Sequence, residues 1–211
     1  MKLTHVSALL TCVAVVAFAT GVAFTEDEAK PKPLTPAEME QKVFQMGGKC
    51  PEHDRLQKLV GSWDLQGKAF SHMMGEIPFG GVVTYKPKWD GKFLDSTYEG
   101  PPGMDGKPMR GAGVIGYNRL SGKYEGTWMM SMNTNITYIT GVWDEKDKAF
   151  KYAGTMDMPD GTTWKMRQVF TMVSDDKMTE EQWTTAPGGK EIKSVTMTYT
   201  RKKAAAPTTG K

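Results

Sequence analysis

The chain has 211 residues, 39% of them hydrophobic and 24% charged, with 27 Lys and Arg against 24 Asp and Glu, 16 Met and two Cys. That composition fits one globular domain with extra segments, and it excludes a disulfide-rich miniprotein, a collagen-like chain and a highly charged disordered one. A formal charge of +3, with both signs interspersed along the chain, lacks the basic footprint that a phosphate backbone requires, so nucleic acid is not an expected partner.

Residues 1–23 read as a signal peptide: Lys2 precedes an apolar run that begins at Val6, and Ala17-Phe18-Ala19 and Gly21-Val22-Ala23 are both acceptable cleavage triplets. The competing reading is an uncleaved anchor, because the run approaches the ~18 residues of a membrane span. A lipoprotein reading through Cys12 fails, since Leu9-Leu10-Thr11 puts Thr where a small residue is wanted and leaves too short an apolar run. After cleavage no membrane span remains, and the protein is expected in the periplasm or secreted. Cleavage also removes Cys12 and leaves Cys50 without an internal disulfide partner; a small helix-capping role is preferred for it over an intermolecular one.

Residues 24–34 lack an apolar face and form a linker. Residues 35–61 carry two short helices. Thr35-Pro36-Ala37-Glu38 is a capping box with Pro at the first helical position, Met39, Val43 and Met46 share a face, and Gly47-Gly48 predicts a left-handed stop. A second helix opens at Pro51-Glu52-His53-Asp54, places Leu56, Leu59 and Val60 in a stripe and ends at Gly61. The pair is expected to form a lid or plug.

From residue 62 to 201 the apolar period becomes two, as in Trp63 and Leu65, Val83 and Tyr85, Tyr152, Met156 and Met158, or Met197 and Tyr199. Turn signals such as Trp89-Asp90-Gly91, Leu120-Ser121-Gly122 and Pro159-Asp160-Gly161 separate the runs. About ten strands at ~14 residues each leave no room for crossover helices, so the sheet is antiparallel. Closure removes the two edges that a meander exposes. The expected fold is all-β, a ten-stranded antiparallel up-and-down barrel with one or two N-terminal helices, preferred over a sandwich. Residues 202–211, rich in Ala, Pro and Thr, are expected to be a disordered tail.

Gly61-Ser62-Trp63 at the start of the barrel and Tyr199-Thr200-Arg201 at its end resemble the lipocalin or calycin arrangement, in which a first-strand Trp lies under a last-strand Arg. The resemblance implies a structural closure by Trp63 and Arg201, and stacking of a guanidinium on an indole gives that pairing its physical sense. Glu52-His53-Asp54-Arg55-Leu56, Gly91-Lys92-Phe93-Leu94, Gly113-Val114-Ile115-Gly116-Tyr117-Asn118 and Thr127-Trp128-Met129-Met130-Ser131-Met132-Asn133-Thr134 follow in an order that resembles a family of mostly bacterial, often exported lipocalin-like proteins classed as a domain of unknown function. The resemblance spans about residues 50–202 and implies a fold but no settled activity. The family tends to have Asp where Asn118 and Met130 stand, and Gly-Gly-Arg-Phe in place of Asp90-Gly91-Lys92-Phe93, so a function carried by those Asp residues would be missing here.

Methionine is over-represented. Met130-Ser131-Met132, Met156-Asp157-Met158 and His72-Met73-Met74 offer soft donors for Cu(I), but flexible filling of an aromatic interior explains them better. Zinc lacks ligands beyond Cys50 and His53, and His53 is expected to pack against the barrel end with Glu52 or Asp54 as partner. A haem-type axial His is absent after His72. Ser131, Ser174 and Ser194 lack a nucleophile motif, and Asp95 with Glu99, or Glu125 with Thr127, is expected to solvate an outer face. Gly111-Ala112-Gly113 and Gly116 lie in a strand without a following helix, so they indicate close strand packing rather than a phosphate loop.

The sequence therefore points to non-catalytic binding of a small hydrophobic or amphipathic molecule inside the barrel, with no cofactor and no metal. Expected ligand-binding residues are Tyr85, Trp128, Met130, Tyr138, Met156, Trp164, Met166, Phe170 and Met197, with Arg167 or Gln168 orienting a polar end. Two other classes remain: an enzyme using an inward carboxylate with a raised pKa, and a protein-interaction module with an exposed apolar surface. The oligomeric state, and whether the interior is open or packed solid, are left open.

Overall fold

The computed structural model describes residues 33–203 apart from 72–74 and 104–105. The signal peptide, most of the linker, the tail from residue 204 and the His72-Met73-Met74 run lie outside the described residues. Two helices, α1 (Pro36–Met46) and α2 (Pro51–Gln57), precede ten strands: β1 (Gly61–Ser71), β2 (Gly75–Lys88), β3 (Phe93–Pro102), β4 (Pro108–Asn118), β5 (Lys123–Met130), β6 (Thr137–Asp144), β7 (Ala149–Asp157), β8 (Thr163–Ser174), β9 (Lys177–Thr185) and β10 (Ile192–Arg201). Each strand pairs antiparallel with the next, and β10 pairs with β1, so the sheet closes as expected and keeps no free edge.

Closure is anchored by register. Trp63 lies opposite Arg201, whose guanidinium sits 4.0 Å from the indole centroid. The same guanidinium donates to the carbonyls of Val60 (2.6 Å), Lys58 (2.8 Å) and Asp175 (2.8 Å), tying the loop before β1 to the β8–β9 turn. Gly61 makes room for it: its φ is +127°, and a Cβ there would stand 2.8 Å from the Arg201 Nη1.

Side chains alternate in and out, and several inward glycines admit a neighbouring ring. A Cβ on Gly111 or Gly113 would come within 2.5 Å or 2.9 Å of the Trp128 ring, so these glycines leave the inner wall open for an indole.

One end of the barrel is solid. Leu56, Leu59, Trp63, Leu94, Tyr124, Phe150 and Met178 are each at most 3% exposed. α2 closes this end: the Trp63 Nε1 donates to the Leu59 carbonyl (2.8 Å), and Arg55 donates to the Tyr124 hydroxyl (3.0 Å). An aromatic chain runs inward from His53 through Tyr117, Tyr124, Phe150 and Phe170 to Tyr199, with centroid spacings of 4.9–6.4 Å.

The helices correct two expectations. Gly47 caps α1 in the right-handed region (φ −73°, ψ −14°), so the stop is not left-handed. Only α2 acts as a plug. α1 buries none of its residues, and Met39, Val43, Phe44 and Met46 are exposed because Leu56 and Leu59 already fill the barrel end. The Thr35 and Glu38 capping box is present.

Candidate functional site

Beyond the sealed layers, the inner wall changes character. Phe79, Trp128, Met130, Ile139, Met156, Trp164 and Met197 point inward by register but are only half-buried. Their apolar surfaces line the half of the barrel away from α2. Two grooves, of about 500 and 570 Å³, are lined mainly by outward residues: Val82, Thr97, Glu99 and Arg110 in one, and Val114, Glu125, Thr127 and Tyr138 in the other, project outward by register.

Polar groups gather midway down the barrel. Glu180 faces inward between Phe170 on β8 and Met197 on β10. The Tyr199 hydroxyl donates to its Oε2 at 2.6 Å, while burial pushes the carboxyl up to about 7 against the lowering effect of that bond. Glu180 and Tyr85 are enclosed by protein and yet retain some accessible surface, so they border space rather than close-packed atoms. Further along the same wall the Gln168 Nε2 donates to the Gln182 Oε1 at 3.3 Å.

The phenols of Tyr85 and Tyr152 also lie within electrostatic reach of this carboxyl. Those of Tyr98 and Tyr124 are hydrogen-bonded elsewhere, to the carbonyls of Gly80 (2.8 Å) and Glu52 (3.2 Å). Tyr152 is 6% exposed, and its hydroxyl is sealed without a hydrogen-bond partner among the described residues. Burial raises the pKa of Tyr85, Tyr152 and Tyr199, and the negative charge of Glu180 raises each further. Among the described inward positions, Glu180 is the one carboxyl, and the one cation is Arg201, committed to Trp63 at the sealed end.

Of the residues expected to bind a ligand, Trp128, Met130, Met156, Trp164 and Met197 line the open half, and Tyr85, Met166 and Phe170 lie deeper. Tyr138 and Arg167 do not join them. Tyr138 is 64% exposed on the outer face, one residue from the inward Ile139. Arg167 also faces outward, stacked 3.7 Å from the Trp183 ring centroid and paired with Glu191 at 3.0 and 2.8 Å. Gln168, the neighbouring residue, takes the inward position, because consecutive strand residues point to opposite faces.

Cys50 caps α2, and its backbone N–H donates to the His53 Nδ1 at 3.0 Å, with the sulfur also 3.0 Å away. The expected carboxylate partner of His53 is thus replaced by a main-chain group. Burial raises the thiol pKa and lowers that of the imidazole, opposite to the shifts that produce a reactive thiolate and imidazolium pair. Asn118 caps the β4–β5 turn: its Oδ1 accepts from the N–H groups of Leu120 (2.9 Å) and Ser121 (3.3 Å), a task that Asp performs equally.

The sequence reading missed Glu180. Its signal was the parity of β9, where Met178, Glu180, Gln182 and Thr184 alternate with Thr179, Glu181 and Trp183.

The fold defines a closed ten-stranded antiparallel barrel, plugged at one end and apolar at the other. The chain belongs to the family described as Protein of unknown function (DUF1579), which matches residues 49–201. Among solved structures it is similar to Rv2717c from M. tuberculosis, at 14% identity and TM-score 0.55 over 74% of this chain and 100% of that one. It is also similar to the S-type phycobiliprotein lyase CPES from Guillardia theta, at 12% identity and TM-score 0.52 over 77% of this chain and 98% of that one. These likenesses extend to the fold. No curated protein matches the chain. Among the described residues, no helix is long and apolar enough to cross a membrane and no group of His, Cys, Asp and Glu is arranged to hold a metal.

Proposed function

We propose that this protein is an exported carrier that binds a small, largely apolar molecule in the open half of its barrel. The observation that carries this reading is the division of the interior. Trp63, Leu94, Tyr124 and Phe150 are sealed at one end, whereas Trp128, Met130, Met156, Trp164 and Met197 face inward at the other and stay half-buried. Methionine and indole walls adapt to ligands of irregular shape, and partial exposure leaves apolar area for a ligand to cover. The basic residue and apolar run in residues 1–23 support export, with the barrel acting outside the cytoplasm.

The test is calorimetric titration with decanol, a linear apolar probe. Saturable one-to-one binding that weakens in Trp128→Ala and Met156→Ala, and is unchanged in the outward variant Tyr138→Ala, supports the reading. Absence of binding, or equal loss in all three variants, overturns it.

A second reading rests on Glu180, a buried carboxyl poised to titrate near neutrality and therefore suited to general acid or base chemistry. Its one observed side-chain hydrogen bond comes from Tyr199, and among the described residues no nucleophile is bonded to it, so binding is the better-supported function.

A further inference from the structure

Many of the barrel's charges form opposite-sign pairs on its outer face. Lys88 with Asp95, Lys151 with Asp144 and Asp147, and Lys193 with Glu181 are examples. Glu180 departs from this pattern, because it faces the interior without a cation opposite it. A buried carboxyl costs stability unless something compensates its charge, and one phenol satisfies only part of its hydrogen-bonding capacity. Tyr152 adds a second unsatisfied oxygen within electrostatic reach of the same carboxyl.

We infer that the barrel selects an amphipathic ligand with a cationic nitrogen head, such as a primary ammonium on an apolar body, and that Glu180 is the counter-ion for that head. The inference rests on the binding role proposed above and names the chemistry of its ligand. An ammonium offers three N–H donors and no acceptor, which suits a carboxylate with one donor from Tyr199 and capacity for more, beside a phenol oxygen that accepts from no described group. The apolar body then lies along Met197, Trp128 and Met156 toward the open end. A fatty carboxylate is rejected, because its charge would face that of Glu180 with no cation nearby.

The groups facing Glu180 allow its ionisation to be read from binding. Tyr199 on β10, Tyr85 on β2 and Tyr152 on β7 are its titratable neighbours, and burial keeps each phenol neutral through the neutral pH range. Any change in head-group preference between pH 6 and pH 8, near the value of about 7 at Glu180, therefore reports that carboxyl.

The experiment titrates the protein with decylamine, decanol and decanoic acid at both pH values. At pH 8 decylamine should bind about tenfold or more tightly than decanol, with decanoic acid the weakest, as a charge-assisted hydrogen bond in a desolvated site implies. At pH 6 the amine should lose about tenfold in affinity while decanol is unchanged, because protonating the carboxyl removes the counter-ion. In Glu180→Gln the amine should bind no better than the alcohol at either pH. Equal amine and alcohol affinities in the unaltered protein, or an amine preference that survives Glu180→Gln, overturn the inference and leave the carrier reading intact. Failure of all three probes to bind overturns both. The pH profile of the unaltered protein gives this answer even if Glu180→Gln does not fold.

Discussion

The two ends of the barrel share one strand pairing but differ in how the inner wall is filled. At the α2 end the wall is filled by rings: Trp63, Tyr124 and Phe150 are at most 1% exposed, and the Trp63 indole, Arg55 and Arg201 find backbone or side-chain acceptors. At the other end Trp128, Met130 and Met197 are half-buried, and the polar groups beneath them are only partly satisfied. On the proposed function, stability is concentrated in the first region and recognition in the second. Substitutions that separate stability from binding therefore test the division.

The largest effect is expected at the sealed end. Trp63→Ala removes a fully buried indole, its bond to Leu59 and the platform for Arg201, and should cost ~3–5 kcal/mol in denaturant unfolding. If the loss is no greater than that of Trp128→Ala, the contrast between the two ends fails.

Glu180 should act in the opposite direction. Its carboxyl is raised from 4.5 in the unfolded chain to about 7 in the barrel, so the folded state holds a proton that the unfolded state releases. Stability is therefore highest below pH 4.5, falls as pH rises from 4.5 to 7, and is then level as far as this group is concerned. Glu180→Gln removes that fall. At pH 8 it should stabilise the unliganded protein by up to ~3 kcal/mol, and the gain should vanish near pH 4. Equal stabilities of the two proteins at pH 8 would mean that the carboxyl is hydrated well enough to carry its charge at no cost.

The barrel itself was readable because antiparallel strands with one wet face declare their period, and Trp63 and Arg201 mark where the ends meet. Within the site, legibility followed bulk. Met156, Met166, Phe170 and Met197 were found because apolar residues at every second position mark the inner face. β9 misleads because its heaviest side chain, Trp183, lies outside beneath Arg167, while Met178, Glu180, Gln182 and Thr184 face inward. Tyr138 and Arg167 fail for a related reason: each is one residue from an inward neighbour, and a single step reverses the face. Glu180 could have been placed from its partners, Phe170 and Met197, but that requires the register of three strands together.

Within the open half, Trp128→Ala should cost less than Trp63→Ala, ~2 kcal/mol, because the indole is already partly exposed and no sealed cavity remains after its removal. It should nonetheless weaken decanol binding, as measured by calorimetry, more than Trp63 substitutions that still fold. The reverse ranking would place the ligand elsewhere.

The smallest effect concerns α1. Its apolar residues are exposed, Phe44 at 86%, so Phe44→Ser should shift unfolding by no more than ~0.5 kcal/mol. What holds the helix near the barrel is its C-terminal end, where Lys92 donates to the Gly47 carbonyl at 3.1 Å and Arg119 donates to that of Gln45. Cations at that terminus satisfy carbonyls that the helix cannot, and they complement its dipole. Replacing both Lys92 and Arg119 with Ala should accelerate hydrogen exchange across residues 39–46 while leaving the β-strand amides and decanol binding unchanged. Slowed ligand release in that double variant would instead make α1 part of the carrier's mechanism, which its distance from the open end argues against, since Lys92 and Arg119 both belong to turns on the α2 side.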